Sequence, residues 1–314
     1  MFDVLLINPV LPSLDRELSA RYTVHRYYEH ADKAGFLREV AHGIGGVVTG
    51  GATGISNALM DALPALRIVA INGIGTDAVD LAHARARGIH VSTTPGVLTD
   101  DVADLAIGLL ISACRGLCVG DAYVRDGEWG KRGLPLARKF SGMKVGIVGL
   151  GRVGRAIALR AAAFGCPIAY TDLREIADVR YRFVADLREL ARDSDALILA
   201  ASADEAEGIV DAAVLDALGT RGVLVNIARG SVVDENALVQ ALERQAIAGA
   251  ALDVFEREPL DTSALFAFDN VVLSPHIGSA THETRLAMAQ LTIDNVVSFF
   301  TTGKAITPVI LAAR

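Results

Sequence analysis

The chain has 314 residues, 52% hydrophobic and 21% charged, with a formal net charge of -7. That length exceeds one ordinary domain and predicts two cores with a ligand cleft between them, and the ordinary globular composition excludes a disordered or fibrous chain. An acidic balance with no Lys/Arg-rich block lacks the electrostatic footprint that DNA or RNA requires, so nucleic-acid partners are excluded.

The opening stretch, Met1-Phe-Asp-Val-Leu-Leu-Ile-Asn-Pro9, carries Asp3 and no basic start. No run of about 18 uninterrupted apolar residues occurs anywhere, so the expectation is a cytoplasmic protein with no export signal and no membrane span. In chain order, Val4 to Ile7, Val24 to Tyr28, Gly46 to Thr49, Ile68 to Ile71 and Ile89 to Ser92 are short apolar runs that predict strands. Ala31 to Ala41, Ser56 to Leu63 and Val79 to Arg87 predict helices between them, which makes a βαβ series and a parallel sheet.

Thr99 to Arg125 follows as one long helical segment, with Thr99 as N-cap, Asp100 and Asp101 in the first turn, and apolar residues nearly all round. Such a helix needs cover on most sides, either between domains or against a second subunit. Cys114, Cys118 and Cys166 are too few for a disulfide framework, and no His near the first two completes a metal set. Buried thiols in a reducing compartment are expected, and no metal is assigned. Trp129, in Asp126-Gly-Glu-Trp-Gly130, fits core packing, a surface anchor or a substrate contact.

A second series starts at Lys144 to Val148 and continues with strands at Pro167 to Tyr170, Ala196 to Leu199, Val223 to Asn226, Gly249 to Leu252 and Val271 to Leu273. The last helix, about His282 to Phe300, comes after that series has ended, while the first series lacks a covering helix of that length. The fold class is therefore α/β, with two doubly wound parallel-sheet domains of Rossmann-like or flavodoxin-like kind around an interdomain cleft. The first domain is discontinuous, 1–97 with 285–314, and 98–284 forms the dinucleotide-binding domain.

Strand Val145 to Val148 runs into Gly149-Leu-Gly151-Arg-Val-Gly154 and then into a strongly helical stretch, the order that a dinucleotide fingerprint demands. Gly149 permits the tight turn, Gly151 lets backbone approach a pyrophosphate, and Gly154 lets helix and strand pack closely, with the helix N-terminus aimed at the phosphates. The next strand ends at Asp172, 18 residues after Gly154, where a carboxylate can accept hydrogen bonds from ribose hydroxyls. That charge repels a 2′-phosphate and favours NAD, although Arg174 two residues on leaves NADP open.

Three later segments put polar residues where strands end: Asn226-Ile-Ala-Arg229-Gly230, Asp253-Val-Phe-Glu-Arg-Glu258-Pro259 and Ser274-Pro-His276-Ile-Gly278. In an open α/β sheet the carboxyl ends of strands face the ligand crevice, so the three can converge. With these motifs, with Asn72-Gly-Ile-Gly-Thr-Asp77 and with Thr94-Pro-Gly-Val-Leu-Thr-Asp-Asp-Val-Ala-Asp104, the chain resembles the D-isomer-specific 2-hydroxyacid dehydrogenase family over nearly its whole length. It resembles most the hydroxypyruvate and glyoxylate reductases of that family.

The resemblance implies that Arg229 holds the keto and carboxylate oxygens of a small 2-keto acid, that His276 is the acid/base and that Glu258 is its carboxylate partner. It further implies that Ile74 and Gly75 cradle the substrate carboxylate through backbone N–H groups. Cofactor contacts are implied at Gly149, Gly151, Arg152, Val153, Gly154, Asp172, Ala228, Asp253, His276 and Gly278, with Asp253 facing the nicotinamide amide. The expected reaction is reversible, NAD(P)H-dependent reduction to the D-2-hydroxy acid. 4-Hydroxyphenylpyruvate and 2-ketogluconate are alternative substrates, and a homodimer through the helix near 99–125 is the expected assembly. A second function class on the same fold is an NADH-sensing corepressor with no turnover. The small residues of Thr49-Gly-Gly-Ala-Thr-Gly54 argue against a phosphorylated substrate.

Overall fold

The computed structural model describes residues 2–201 and 206–310 and divides the chain into two compact units, Met1–Leu98 with Ser279–Arg314, and Thr99–Gly278. The second crossing lies at Gly278/Ser279, earlier than the 284/285 set from sequence. The reason is local: Thr281 caps the last helix, and the Thr284 hydroxyl within it already donates to the Val97 carbonyl at 3.4 Å.

In the first unit, β1 (Asp3–Leu6), β2 (Val24–Arg26), β3 (Ile44–Gly50), β4 (Ile68–Asn72) and β5 (His90–Ser92) form a wholly parallel sheet of order β2-β1-β3-β4-β5. Strand side chains alternate between faces, and the sheet uses both. Val4, Leu6, Val48 and Ala70 are buried with Leu14 and Leu18 of α1 (Pro12–Arg21) and with Ala289, Ile293 and Val296 of α11 (His282–Thr302). Leu5, Val47, Val69 and Ile71 face the other way, into a cluster with Leu59, Met60 and Ala84. There lie α3 (Asn57–Ala62) and α4 (Leu81–Ala86), capped by Ser56 and Asp80; α2 (Lys33–Val40) is capped by Asp32. Each cap accepts one of the orphan N–H groups of a helix start.

The second unit opens with α5 (Thr99–Arg115) and α6 (Leu117–Arg125). The sequence predicts one long helix here with Thr99 as cap; instead Thr99 is already helical, and the helix breaks at Gly116, whose φ of 59° the α-helix cannot continue through. The two pieces are bent by 62°. Among the described residues no single helix is long and apolar enough to cross a membrane. Cover for α5 comes from its own unit, because Ala103, Ala106, Ile107, Leu109, Leu110 and Cys114 are buried with Val145, Ile147, Val223 and Val225 of the sheet. Past the bend α6 leaves that core, so Cys118 is exposed rather than buried, unlike Cys114 and Cys166. Trp129 lies at the surface, 78% exposed, which removes the core-packing option.

The sheet of this unit comprises β6 (Val145–Val148), β7 (Ile168–Thr171), β8 (Arg182–Phe183), β9 (Ala196–Leu199), β10 (Val223–Asn226), β11 (Gly249–Leu252) and β12 (Val271–Leu273). Its order is β12-β11-β10-β9-β6-β7-β8, parallel throughout. One face is covered by α5 and α7 (Arg152–Ala163). Val148, Leu197, Leu199, Leu224 and Leu252 point to the other, covered by α8 (Leu187–Arg192), α9 (Ala212–Leu218) and α10 (Glu235–Glu243). From β6 the chain winds outward through β7 and β8, then crosses to β9 on the opposite side. The carboxyl end of β6 is thus the topological switch point, where open α/β sheets bind ligands.

Candidate active site

The glycine loop sits at that switch point. Gly149 has φ 86°, and its N–H donates to the Thr171 carbonyl at 2.9 Å. A Cβ on Gly149 would lie 2.6 Å from the Cα of Ala201, and one on Gly154 would lie 2.1 Å from the Gly149 carbonyl oxygen. Both glycines are therefore explained by the protein's own packing. Gly151, at the N-cap of α7, is different: a Cβ there meets nothing within 4 Å and its φ of -70° suits any residue. What calls for glycine at this position is room for a ligand, and the start of α7 offers that ligand unpaired N–H groups and the positive end of the helix dipole. The loop fits a dinucleotide pyrophosphate. Arg152 and Val153 form the first turn of α7, with Arg152 exposed.

Asp172, one residue beyond β7, is half-buried and bound by its own surroundings: Leu150 N–H donates to Oδ2 at 2.7 Å and Leu173 N–H to Oδ1 at 2.8 Å. Two amides fix the carboxylate beside the glycine loop, with lone pairs remaining for ribose hydroxyls. Arg174 is exposed two residues further on.

The loop after β10 is stapled by buried Asn226, whose Oδ1 accepts from Ala228 N–H at 3.0 Å and whose Nδ2 donates to the Arg229 carbonyl at 2.8 Å. Arg229 Nη1 donates to the Ala228 carbonyl at 2.7 Å, which folds the guanidinium back over its own loop. A carboxylate, Glu258, follows β11, and an imidazole, His276, follows β12; they meet directly, Nδ1 of His276 donating to Oε2 of Glu258 at 2.6 Å. The other oxygen of Glu258 accepts from Phe255 N–H at 3.0 Å.

This pair is polarised. The hydrogen bond to Glu258 and that carboxylate's charge hold the His276 pKa above the usual imidazole value, with Asp253 adding to the rise, against burial and the positive charge of Arg229. Burial pushes Glu258 upward, yet the His276 hydrogen bond, the Phe255 amide and the charges of His276 and Arg229 together leave it below the ordinary carboxylate range. The charge of Arg229 bears on both partners, and the three residues follow the neighbouring strands β10, β11 and β12 of one sheet, where His276 and Glu258 are in direct contact.

His276 is one of two non-glycine residues with positive φ among those described, at 53°. That backbone costs about 1 kcal/mol and persists where neighbours enforce it. Asp253, only 2% exposed, is the enforcer: Ser274 Oγ donates to Oδ1 at 2.6 Å, Ile277 N–H to Oδ1 at 2.9 Å and Gly278 N–H to Oδ2 at 2.9 Å. The carboxylate expected to face a nicotinamide amide thus also seats the turn that carries His276. Sequence reasoning missed this, and it missed Asn226; the signal available was a buried-type acid and amide each closing a strand. Ile74 and Gly75 lie in the other unit, just past β4, with Ile74 43% exposed. No group of three or more His, Cys, Asp or Glu residues that could hold a metal occurs among the described residues.

Two parallel α/β units, a glycine loop at the switch point and an imidazole–carboxylate pair beside an arginine define a nicotinamide-dependent oxidoreductase of hydroxy acids. Residues 107–278 match the D-isomer specific 2-hydroxyacid dehydrogenase, NAD binding domain family. The chain is 44% identical to the 2-ketogluconate reductase of Gluconobacter oxydans (strain 621H), covering 98% of each. It is 45% identical to the hydroxyphenylpyruvate reductase of Plectranthus scutellarioides, again over 98% of each. Among solved structures, the NADPH-dependent glyoxylate/hydroxypyruvate reductase from Sinorhizobium meliloti in complex with NADP and malonate aligns with a TM-score of 0.92 at 42% identity, covering 98% of this chain and 96% of that one. The chain belongs to the D-isomer-specific 2-hydroxyacid dehydrogenase family, and as such it is an NAD(P)-dependent enzyme that interconverts a 2-keto acid and a D-2-hydroxy acid.

Proposed function

We propose that the enzyme reversibly reduces a compact 2-keto acid of the glyoxylate or hydroxypyruvate type to the D-2-hydroxy acid, with NADH as the preferred donor and His276 as the proton source. The observation that carries this is the 2.6 Å bond between His276 and Glu258 beside Arg229. With Nδ1–H donating to Glu258, Nε2 is the nitrogen left to exchange a proton. Held charged by Glu258, His276 delivers that proton to the substrate's keto oxygen as negative charge develops there. Arg229 presents a planar fork of donors that binds keto and carboxylate oxygens in one orientation, which a lysine cannot do. A nicotinamide bound at the glycine loop supplies the hydride. Oxidation runs the same steps backward, with neutral His276 accepting the proton. The Ile74 and Gly75 amides enter as carboxylate donors through the family resemblance.

NADH is favoured because Asp172, pinned by two backbone amides, puts a fixed negative charge where a 2′-phosphate would sit. The S. meliloti structure, which shares this fold with a TM-score of 0.92, is in complex with NADP, so the fold alone does not select the cofactor and the preference proposed here rests on Asp172. A compact substrate is favoured by the Thr49–Gly54 loop, which closes on itself through Thr49 Oγ1 to the Gly54 carbonyl at 2.7 Å and carries no Lys or Arg for a phosphate. The test is a steady-state panel with NADH and NADPH on glyoxylate, hydroxypyruvate, 4-hydroxyphenylpyruvate and 2-ketogluconate. Turnover is expected first on glyoxylate or hydroxypyruvate with NADH, and absence of turnover on every 2-keto acid removes the proposal.

We also infer a cytoplasmic homodimer joined through the α5–α6 region, where Leu117 and Val124 of α6 are each 52% exposed. Apolar side chains repeated along one short helix are the kind of surface that a second copy covers. Sedimentation equilibrium is expected to give twice the chain mass, and a monomer at every concentration contradicts it.

A further inference from the structure

Glu256 lies inside the motif that supplies Asp253 and Glu258, yet the chemistry above leaves it without a task. Its neighbourhood is specific. Glu256 N–H donates to Oε2 of Glu235 at 2.6 Å, while Glu235 N–H donates to Oε1 of Glu256 at 3.3 Å. Glu235 is the first residue of α10, so its N–H is one of the orphan donors of a helix start, and both carboxylates sit near the positive end of that helix. The loop after β10 is thereby tied to the loop after β11.

Directly beneath this tie the two loops touch through backbone. A Cβ on Gly230 would lie 1.8 Å from the Phe255 carbonyl carbon and 2.2 Å from the Glu256 nitrogen, so Arg229-Gly230 rests on the Phe255–Glu256 peptide with no room for a side chain. On its other side the same segment holds the catalytic carboxylate, because Phe255 N–H donates to Oε1 of Glu258 and Oε2 of Glu258 receives His276. The Phe255–Glu256 peptide therefore stands between the guanidinium loop and the imidazole–carboxylate pair.

We propose that Glu235 and Glu256 form a reciprocal carboxylate–amide clasp that positions Glu258, and through it His276, against the loop carrying Arg229. They are positioning residues: neither touches the reacting atoms in this scheme, and each acts by fixing the backbone that presents the groups that do. The kinetic consequence rests on the role of His276 proposed above, whereas the geometric claim can be read on the free protein.

Two conservative variants separate the clasp from a mere charge. Glu256→Gln removes the charge but keeps an acceptor of the same reach; Glu256→Asp keeps the charge but is one methylene too short. The probe is the titration of the His276 imidazole, followed by NMR of histidine-labelled free protein, with NADH binding as the check that the unit is folded. The charged groups acting on that imidazole are Glu258, Arg229 and Asp253, all untouched by both changes. The expected result is that Glu256→Asp titrates at lower pH than the parent while Glu256→Gln titrates with it. In turnover, Glu256→Asp, which releases the 3.3 Å bond and leaves the 2.6 Å one, loses about two- to tenfold in kcat/KM for the keto acid, the size of one ordinary hydrogen bond. The opposite ordering, Gln shifted and Asp unchanged, shows a through-space charge and overturns the clasp, as does a titration unmoved in both. Because the titration needs no substrate, failure of the clasp and failure of the proposed reaction are separate results.

Discussion

Gly151→Ala isolates the ligand's claim on the glycine loop from the protein's own. A Cβ at 151 meets nothing within 4 Å, and the backbone, at φ -70° and ψ -158°, is open to alanine. The apo protein therefore keeps its stability to within about 0.5 kcal/mol, as surface changes without broken contacts do. If this loop holds the pyrophosphate, it would do so by charge-assisted hydrogen bonds contributing about 1.5–3 kcal/mol each, so displacing one should raise the NADH Kd about 10- to 100-fold. Gly154→Ala is the contrasting case. Its Cβ would stand 2.1 Å from the Gly149 carbonyl oxygen, so strand and helix must part. Overpacking of that kind costs about 1–3 kcal/mol, which lowers Tm by roughly 2–4 °C per kcal/mol in a domain of this size. Thermal melts of both apo variants beside a fluorescence titration with NADH read the two effects. If Gly151→Ala binds NADH as tightly as the parent, open space over the loop is not a phosphate site and the argument fails.

Glu258→Gln deprives His276 of its charged partner, so the imidazole pKa falls from its raised position. Reduction needs protonated His276, so the high-pH limb of kcat/KM for the keto acid should move to lower pH; oxidation, which needs the neutral ring, should extend to lower pH as well. A pH profile unmoved in both directions contradicts the pairing. Stability due to the pair is bounded on both sides: with the folded imidazole pKa raised it is lost as pH rises through that value, and with the folded Glu258 pKa lowered it is lost as pH falls through that one. Asp172→Ser removes the charge that repels a 2′-phosphate and should shift the ratio of kcat/KM for NADH over NADPH downward by about tenfold or more, measured with one keto acid; an unchanged ratio places selectivity elsewhere. Ser274→Ala deletes a 2.6 Å bond to a buried carboxylate and should cost about 1–3 kcal/mol in a denaturant melt, with kcat falling more than NADH affinity.

Much of this architecture is visible in the chain because apolar periodicity and glycine placement are local properties. The buried strands β3, β4, β6, β9 and β10 are short apolar runs, and the fingerprint lies between a strand and a helix as it must. Helix α1 escapes notice because only Leu14 and Leu18 of its ten residues are buried, too narrow a stripe to stand out from polar loop. The break at Gly116 is likewise hidden: one glycine inside an apolar helical pattern is tolerated as often as not, and only the left-handed φ shows that the helix ends there.

Arg229, Glu258 and His276 stand out in the chain because each lies in a recognisable motif just past the carboxyl end of a strand. The groups that hold them do not. Asn226 acts within its own loop, through a side chain that any polar strand end could carry. Ser274, by contrast, bonds the Asp253 carboxylate, and Glu235 and Glu256 bond each other's backbone across adjacent strand ends. Those contacts depend on sheet order, which no local pattern carries. Asp253 belongs to both sets: its position at a strand end marks it for the site, while its three donors become visible only when the β12 loop is folded beside it.

The central claim, that His276 supplies the proton beside a bound nicotinamide, is tested most directly by His276→Gln. Pre-steady-state mixing of that variant with NADH and glyoxylate, read at the nicotinamide absorbance, should show a reduction step slower by about 10²- to 10⁴-fold with an NADH Kd close to that of the parent. A step within a few-fold of the parent, at equal cofactor affinity, contradicts the account.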